Sequence, residues 1–528
     1  MEEKKFDNIL ELIFKTSIFV FIGVLISKIF SYSYKIIIAR YFGADIYGLY
    51  SLSIVIIGLL ASVSSFGLGE GALRYISLYR GKKEQEKIKY VFRTSLIILL
   101  FSTIITSLIV FFSADFIAIS IFKNPDLSIF LKIFSFMIPF WMLAGFFLDV
   151  MVAFEKIKQQ IVIEKILQSA GKLIFLLFFL FLGFKTNAVI FSYFIGIFLF
   201  FLGTFLYCKY KLSEVFLKPN LNKSEKNKIL KNLISYSVPV MFFALIANIF
   251  YWTDSIALGY FKTTYEVGIY NAAIPLAMLL GWAPELFIRL LFPIITKEYA
   301  RKNIDLIKRL SKQIGKWIFI INFPVFFLMM FFPGTIINLF FGSDYLLAIT
   351  SLRLLLIGNF FFSIFIISDR LLLMAGKSKI LLMDLIIAGT LNIILNIILI
   401  PKENIFGLEN IHGINGAAIA TTISLIVFNL LLMFHAKYYT SASPLGKKFF
   451  RIFLISIIPI SILFILKSLI EISLFSVIVI TIFFFTIYVL LLFLMKGLDK
   501  NDLLIVGTLK NKIASKLTKV EHSFDHSK

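Results

Sequence analysis

About fourteen times along this chain, a run of roughly 20 mostly apolar residues is followed by a polar break. No other feature restricts the fold as much. Hydrocarbon offers backbone N–H and C=O groups no partner, so a run of that length crosses it as a helix that bonds its own amides. The runs fall near 12–39, 48–69, 91–113, 130–154, 160–182 and 187–208, then 233–258, 268–292, 315–338, 350–374, 379–400 and 414–434, with a last pair near 449–467 and 472–495. With 59% hydrophobic residues, 63 Phe and a mean hydropathy of +0.94, the chain has more apolar surface than a soluble core could hide. The class is an all-α polytopic membrane protein.

The formal charge of +23 is a question of placement. Lys and Arg collect in every second connection: six in 70–90, two in 155–159, seven in 209–232, six in 293–314, one in 375–378, three in 435–448 and seven in 496–528. The intervening connections carry at most one each, apart from Arg40 at a helix end. Cytoplasmic loops of membrane proteins carry such an excess. Both termini are therefore expected in the cytoplasm of a multi-pass plasma-membrane protein. The basic runs read as a solvated face near anionic lipid, and no nucleic-acid partner is expected. MEEKK leads into a long apolar run without a cleavage signature, so that helix is expected to insert and stay.

One pattern occurs twice. Lys28 to Tyr50, KIFSYSYKIIIARYFGADIYGLY, returns as Asn248 to Tyr270, NIFYWTDSIALGYFKTTYEVGIY. Ile29-Phe30 matches Ile249-Phe250, Tyr41-Phe42 matches Tyr260-Phe261, Gly48-x-Tyr50 matches Gly268-x-Tyr270, and Tyr79 matches Tyr299, at an offset of 219 to 220 residues. Six crossings bring the chain back to the side where it started, so the two halves are expected to be parallel repeats. The predicted organisation is an N-terminal six-helix bundle (1–208), a cytoplasmic linker (209–232), a C-terminal six-helix bundle (233–434), an extra helix pair (435–495) and a basic tail (496–528). The tail reads as a short amphipathic helix at the inner surface.

An ionisable side chain at mid-membrane costs about 2.5–3.5 kcal/mol, so each needs a reason. Lys28, Ser31, Tyr32 and Lys35 fall at i, i+3, i+4 and i+7 and form one polar stripe. In the eighth run, Asn271, Pro275, Met278, Trp282, Glu285 and Arg289 share a face, Glu285 and Arg289 are spaced to pair, and Pro275 and Pro284 predict a bend. The fifth run carries Glu164, Gln168 and Lys172 on one side, and Asp254 holds about the place in the second half that Lys35 holds in the first. Charges nearer helix ends (Arg353, Asp369, Arg370, Asp384, Arg289) are expected to snorkel or pair structurally. Lys28 and Lys172 are too deep for that. They point to a water-filled, positively charged cavity suited to an anionic substrate.

Other motifs carry no chemistry. Gly67-Leu68-Gly69-Glu70-Gly71 follows a membrane helix and no strand, and neither Gly171-Lys172 nor Gly376-Lys377-Ser378 has the earlier glycine of a P-loop. Asn222-Lys223-Ser224 is a formal glycosylation sequon on the expected cytoplasmic side. One cysteine, Cys208, excludes an intrachain disulfide, and four scattered histidines show no ligand spacing. No enzyme activity, metal or organic cofactor is expected.

The chain resembles the polysaccharide (lipid-linked oligosaccharide) flippases of the multidrug/oligosaccharidyl-lipid/polysaccharide exporter superfamily. The resemblance rests on IIIARYFGADIYGLYSLS (36–53), FGLGEGALRYI (66–76), SYSVPVMFFALIANIFYWTDSIALGYF (235–261), GIYNAAIPLA (268–277) and FPIITKEYA (292–300), with LDKNDLLIVGTL as a family-like tail. It implies two six-helix bundles in a V, two extra helices, alternating access, and a cavity lined by the first, second, seventh and eighth helices. By resemblance Lys28, Lys35, Asp254, Glu285 and Arg289 are cavity charges. Tyr32, Lys172, Asn271 and Trp282 join them by helix position. The expected activity is moving a polyprenyl-phosphate-linked oligosaccharide from the inner to the outer leaflet, for polysaccharide or glycoprotein glycan export. A monomer is expected to suffice, with membrane lipids and glycan-assembly enzymes as neighbours. Coupling to a proton or sodium gradient stays open. The alternatives are a cation-coupled drug or metabolite antiporter with Asp254, Glu285 and Asp384 as coupling acids and, more remotely, a membrane glycosyltransferase or polymerase.

Overall fold

The computed structural model describes residues 2–402, 412–470, 473–495 and 497–498, with side chains from Leu25 onward save those of 289, 290 and 447. The helix expected in the tail lies outside the described residues. Among these residues every regular element is helical. The first half comprises α1 (Glu2–Ser64), α2 (Leu68–Gly81), α3 (Gln85–Asp115), α4 (Asp126–Ser135), α5 (Met137–Ala153), α6 (Ile157–Ile161), α7 (Gln168–Phe181) and α8 (Asn187–Lys211). The second comprises α9 (Lys223–Phe261), α10 (Thr264–Ala277), α11 (Trp282–Ala300), α12 (Ile304–Phe331), α13 (Pro333–Phe340), α14 (Ile349–Phe365), α15 (Ile367–Met374), α16 (Ser378–Leu399) and α17 (Gly413–Thr440). The last pair is α18 (Lys447–Leu469) and α19 (Leu474–Leu494).

Eleven described helices are long and apolar enough to cross a membrane, or twelve if α4 and α5, bent by 43°, form one span. The count departs from fourteen at two places. The runs near 12–39 and 48–69 are one helical stretch, α1, of which 40 residues pass as a single span. At 1.5 Å per residue such a stretch reaches about 60 Å, twice the hydrocarbon thickness, so it must turn back. It does so at Gly43, whose φ of 80° and ψ of 178° only glycine tolerates readily. The run near 160–182 is one unbroken helical stretch, α6, a π-helical turn at Val162–Leu167 and α7, and it is left out of the count because Glu164, Lys165 and Lys172 make it too charged.

Two ends can be told apart: the end at Gly43, and the opposite one, where the lysine- and arginine-rich connections lie. At the Gly43 end the repeat motif explains itself. A Cβ on Gly48 would collide with the Thr264 carbonyl oxygen, and one on its counterpart Gly268 with that of Ala44. Each half thus supplies the glycine that lets the other's backbone in. Around this crossing the Tyr345 hydroxyl donates to the Ala39 carbonyl at 3.0 Å, and Arg40 donates to the carbonyls of Asn338, Leu339 and Phe340 at 2.7, 2.7 and 3.0 Å. At the basic end α2 meets α9. The Arg74 guanidinium lies 4.1 Å over the Tyr236 ring, and the Tyr75 hydroxyl donates to the Asn232 carbonyl at 3.1 Å.

Between the halves the chain makes a short 3-10 turn at Ser213–Phe216, and α9 begins with Asn222 Oδ1 accepting the Glu225 N–H at 2.9 Å. The sequon asparagine is a helix cap. The last pair packs on α12: Phe319 and Phe449 ring centroids are 4.0 Å apart, and the Tyr488 hydroxyl donates to Ile320 O at 3.1 Å.

Candidate functional site: a lysine-lined cavity between the halves

The site begins with a broken helix. Pro275 has no N–H for the Asn271 carbonyl, and α10 gives way at Ala277 to a 3-10 turn, Met278–Gly281, before α11 starts. This is the bend expected from the prolines. The freed carbonyls take side-chain donors: Tyr47 OH reaches Asn271 O at 3.2 Å, Tyr32 OH reaches Pro275 O at 2.7 Å, and Asn322 Nδ2 reaches Leu280 O at 2.6 Å. Two of the three donors come from α1, so the repair also ties the halves together.

Against this break lie three adjoining chambers of about 280, 270 and 410 Å³. The first holds Lys28, Tyr32, Lys35, Asn271 and Glu285 together with Glu164, Lys165 and Gln168. The second holds Lys35, Lys172 and Asn271 with Tyr34, Tyr50 and Tyr193. The third holds Lys28, Asp254, Trp282 and Glu285 among apolar side chains. Ser31, Lys35, Ser169 and Asn271 line the first two chambers, while Lys28, Ile274, Met278 and Glu285 line the first and third. Trp252 borders all three, so they form one cavity.

Eight of the nine sequence-predicted residues meet here. The ninth, Arg289, has its side chain outside the described residues, and its expected pairing with Glu285 falls there too. Asp384 does not belong: it is fully buried, with Oδ2 2.9 Å from Nδ1 of His435, away from the chambers. Arg353 donates to the Met330 carbonyl at 3.3 Å, and Asp369 Oδ1 lies 3.1 Å from Arg370 Nε.

The three chambers differ in charge. In the first, lysines and carboxylates mix, with Lys165 Nζ 2.6 Å from Glu164 Oε1. Among the described residues, the second contains two lysines and no carboxylate. The Lys172 ammonium lies 3.9 Å from the centre of the Tyr193 ring. In the third, the buried Asp254 collects four donors. Oδ2 accepts from the Tyr270 hydroxyl at 2.5 Å and from the Thr421 hydroxyl, and Oδ1 accepts from Asn396 Nδ2 at 2.8 Å and Asn392 Nδ2 at 3.3 Å. Trp282 Nε1 is buried here without a hydrogen bond.

Sequence reasoning missed Trp252, Lys165, Thr421 and the three tyrosines of the second chamber. Trp252 and Tyr50 lay inside the repeated stretch, and helical spacing from Asp254 could not reach Thr421 on another helix. Lys165 lies one turn before Gln168 on the same helix, within the π-helical turn, and lines the first chamber beside Glu164.

A cavity lined by ionisable groups at the junction of two halves, in a chain with this many apolar spans, defines a polytopic transporter-type membrane protein. The sequence pattern of the polysaccharide biosynthesis protein family matches residues 13–299, and that of MatE matches 239–398. The chain belongs to the polysaccharide biosynthesis protein family, within the superfamily the resemblance indicated. It is similar to a putative O-antigen transporter of Shigella flexneri, at 24% identity over 75% of this chain and 90% of that protein. It is also similar to a probable low-salt glycan biosynthesis flippase of Haloferax volcanii, at 27% identity over 44% of this chain and 45% of that one. Among solved structures, lipid II flippase MurJ in an inward closed conformation superposes with a TM-score of 0.69 at 18% identity, covering 90% of this chain and 98% of MurJ. That likeness establishes the two-bundle fold.

Proposed function

We propose that this protein is a flippase carrying a polyprenyl-phosphate-linked oligosaccharide from the inner to the outer leaflet of the plasma membrane by alternating access. The observation that carries this reading is the cavity itself: Lys28, Lys35 and Lys172 line adjoining chambers between halves that touch at both ends. Ammonium groups there offset the cost of bringing a phosphate headgroup off the membrane surface, while the glycan occupies the polar chambers and the prenyl chain stays in lipid. The names of the relatives support a glycan cargo. In this reading the basic end is cytoplasmic, the chain acts as a monomer beside glycan-assembly enzymes, and no covalent bond is made or broken.

The driving force is proposed from the third chamber. Asp254 with Asn392, Asn396 and Thr421 presents hard oxygen donors in one buried cluster, and Asn396 Oδ1 has no hydrogen-bond partner. Rotating the amides would turn their oxygens toward a sodium ion, and a proton on Asp254 would serve the same end. Transport of the glycan is then coupled to a cation gradient. Depletion of the protein in its host should trap lipid-linked glycan on the cytoplasmic leaflet, read by its protection from an external glycosidase. Unchanged outer-leaflet glycan after depletion would sink the reading.

A further inference from the structure

The lysines of the cavity are not equivalent. Lys28 opens onto chambers that contain Glu164, Glu285 or Asp254. Lys172 lines only the second chamber, which holds no carboxylate among the described residues; Lys35 stands at the boundary between that chamber and the first, and neither lysine has an ion-pair partner among the described residues. Two ammonium groups facing one chamber with no ion-pair partner are unfavourable until an anion arrives.

Lys172 is also held in place by construction. A Cβ on Gly196 would collide with its Cγ, so the lysine stem runs through the gap that this glycine leaves on α8. One turn earlier on the same face, Tyr193 presents its ring to the ammonium at 3.9 Å. Tyr193 is itself held by its neighbours: its ring packs edge-on against Tyr50 at 5.5 Å and at a tilt of 33° against Phe134 at 5.5 Å. Gly196 therefore fixes the path of the stem and Tyr193 the position of its tip.

Taking the flippase reading as given, we propose that the Lys35–Lys172 chamber is a diphosphate subsite, with Gly196 and Tyr193 as positioning residues for Lys172, whereas the mixed-charge chamber at Lys28 receives sugar. A prenyl diphosphoryl sugar carries two negative charges and its monophosphoryl analogue one. Two lysines without an ion-pair partner among the described residues match the first. The mixed chamber is closer to balance and offers hydrogen bonds, which suits a neutral, hydroxyl-rich ligand.

The test is equilibrium binding of farnesyl diphosphoryl glucose and farnesyl phosphoryl glucose to the purified full-length protein. Wild type should prefer the diphosphoryl probe by about tenfold or more, the worth of one charge-assisted hydrogen bond. Lys172→Ala should bring the two probes near parity. Lys28→Met should weaken both alike. Gly196→Ala should lower the preference in wild type and do nothing further in a Lys172→Ala background, where the stem it would strike is gone. Tyr193→Phe should keep the preference and Tyr193→Leu lose it. That pair, with the Lys172→Ala/Gly196→Ala double variant, decides the matter even if Gly196→Ala alone fails to fold. Equal binding of both probes to wild type overturns the subsite, as does a Gly196→Ala loss of the same size with and without Lys172, or a preference that follows Lys28. Failure of folded wild type to bind either probe would remove the flippase reading as well.

Discussion

The two copies of the repeated stretch share a helix crossing and oppose each other in chemistry. Gly48 and Gly268 do the same job at the same crossing, each giving way to a carbonyl of the other half. Thirteen residues before Gly48 and fourteen before Gly268 the likeness ends. Where the first half places Lys35 in an open chamber with Lys172, the second places Asp254 among four hydrogen-bond donors. A repeat thus preserves what the framework needs, close helix approach, and lets the polar positions diverge. In the proposed function one half attracts an anion and the other holds a cation.

The sharpest way to break this comparison is to remove the charges on one side at a time. Lys35→Met with Lys172→Met should abolish glycan flipping, with more than about a hundredfold loss of transport rate in proteoliposomes at unchanged membrane levels, as removal of two charge-assisted contacts predicts. Asp254→Asn should also stop gradient-driven transport yet leave binding of a lipid-phosphate glycan within about twofold of wild type, since local charges separate by site. If both variants lose binding equally, the division of labour between halves is wrong.

A smaller effect concerns the ion. A cation that binds the Asp254 cluster should raise the thermal midpoint of wild type, by about 2.7 kcal/mol of stabilisation at a hundred times its Kd. Asp254→Asn and Thr421→Ala should abolish that increment in a melting titration with sodium and across a pH series. An equal shift in the variants would place the cation elsewhere.

Next come the glycines, where the halves should behave alike. Gly48→Ala and Gly268→Ala should each destabilise by about 1–3 kcal/mol through overpacking, and by similar amounts, because the contact is reciprocal. A large effect from one and none from the other would show that the crossing is not symmetric. Smallest is Tyr47→Phe, which leaves the Asn271 carbonyl freed by Pro275 without its donor and should cost about 1 kcal/mol in a thermal melt.

Much of this arrangement was legible before any coordinates. The apolar runs located the helices, since hydropathy alone decides which segments lie in lipid. The i, i+3, i+4, i+7 spacing put Lys28, Tyr32 and Lys35 on one face, and all three line the cavity. The prolines of the eighth run announced a broken helix. What could not be read was which faces would meet. Thr421, Trp252 and Tyr193 are ordinary membrane-helix residues in sequence, and only the packing of α17, α9 and α8 brings them to the chambers. Asp384, near a helix end and expected to pair structurally, is set by the same packing against His435, a partner that spacing along its own helix could not name.

The amino-acid order by itself determined a helical membrane protein with a repeat and a charged stripe on its first helix. Those properties follow from local periodicity and from the insolubility of long apolar runs. The tertiary structure alone decided which lysine stands with carboxylates and which without, because that depends on contacts between helices far apart in the chain. Charge in a low-dielectric interior takes its meaning from its neighbours, and sequence spacing specifies neighbours only along a single helix.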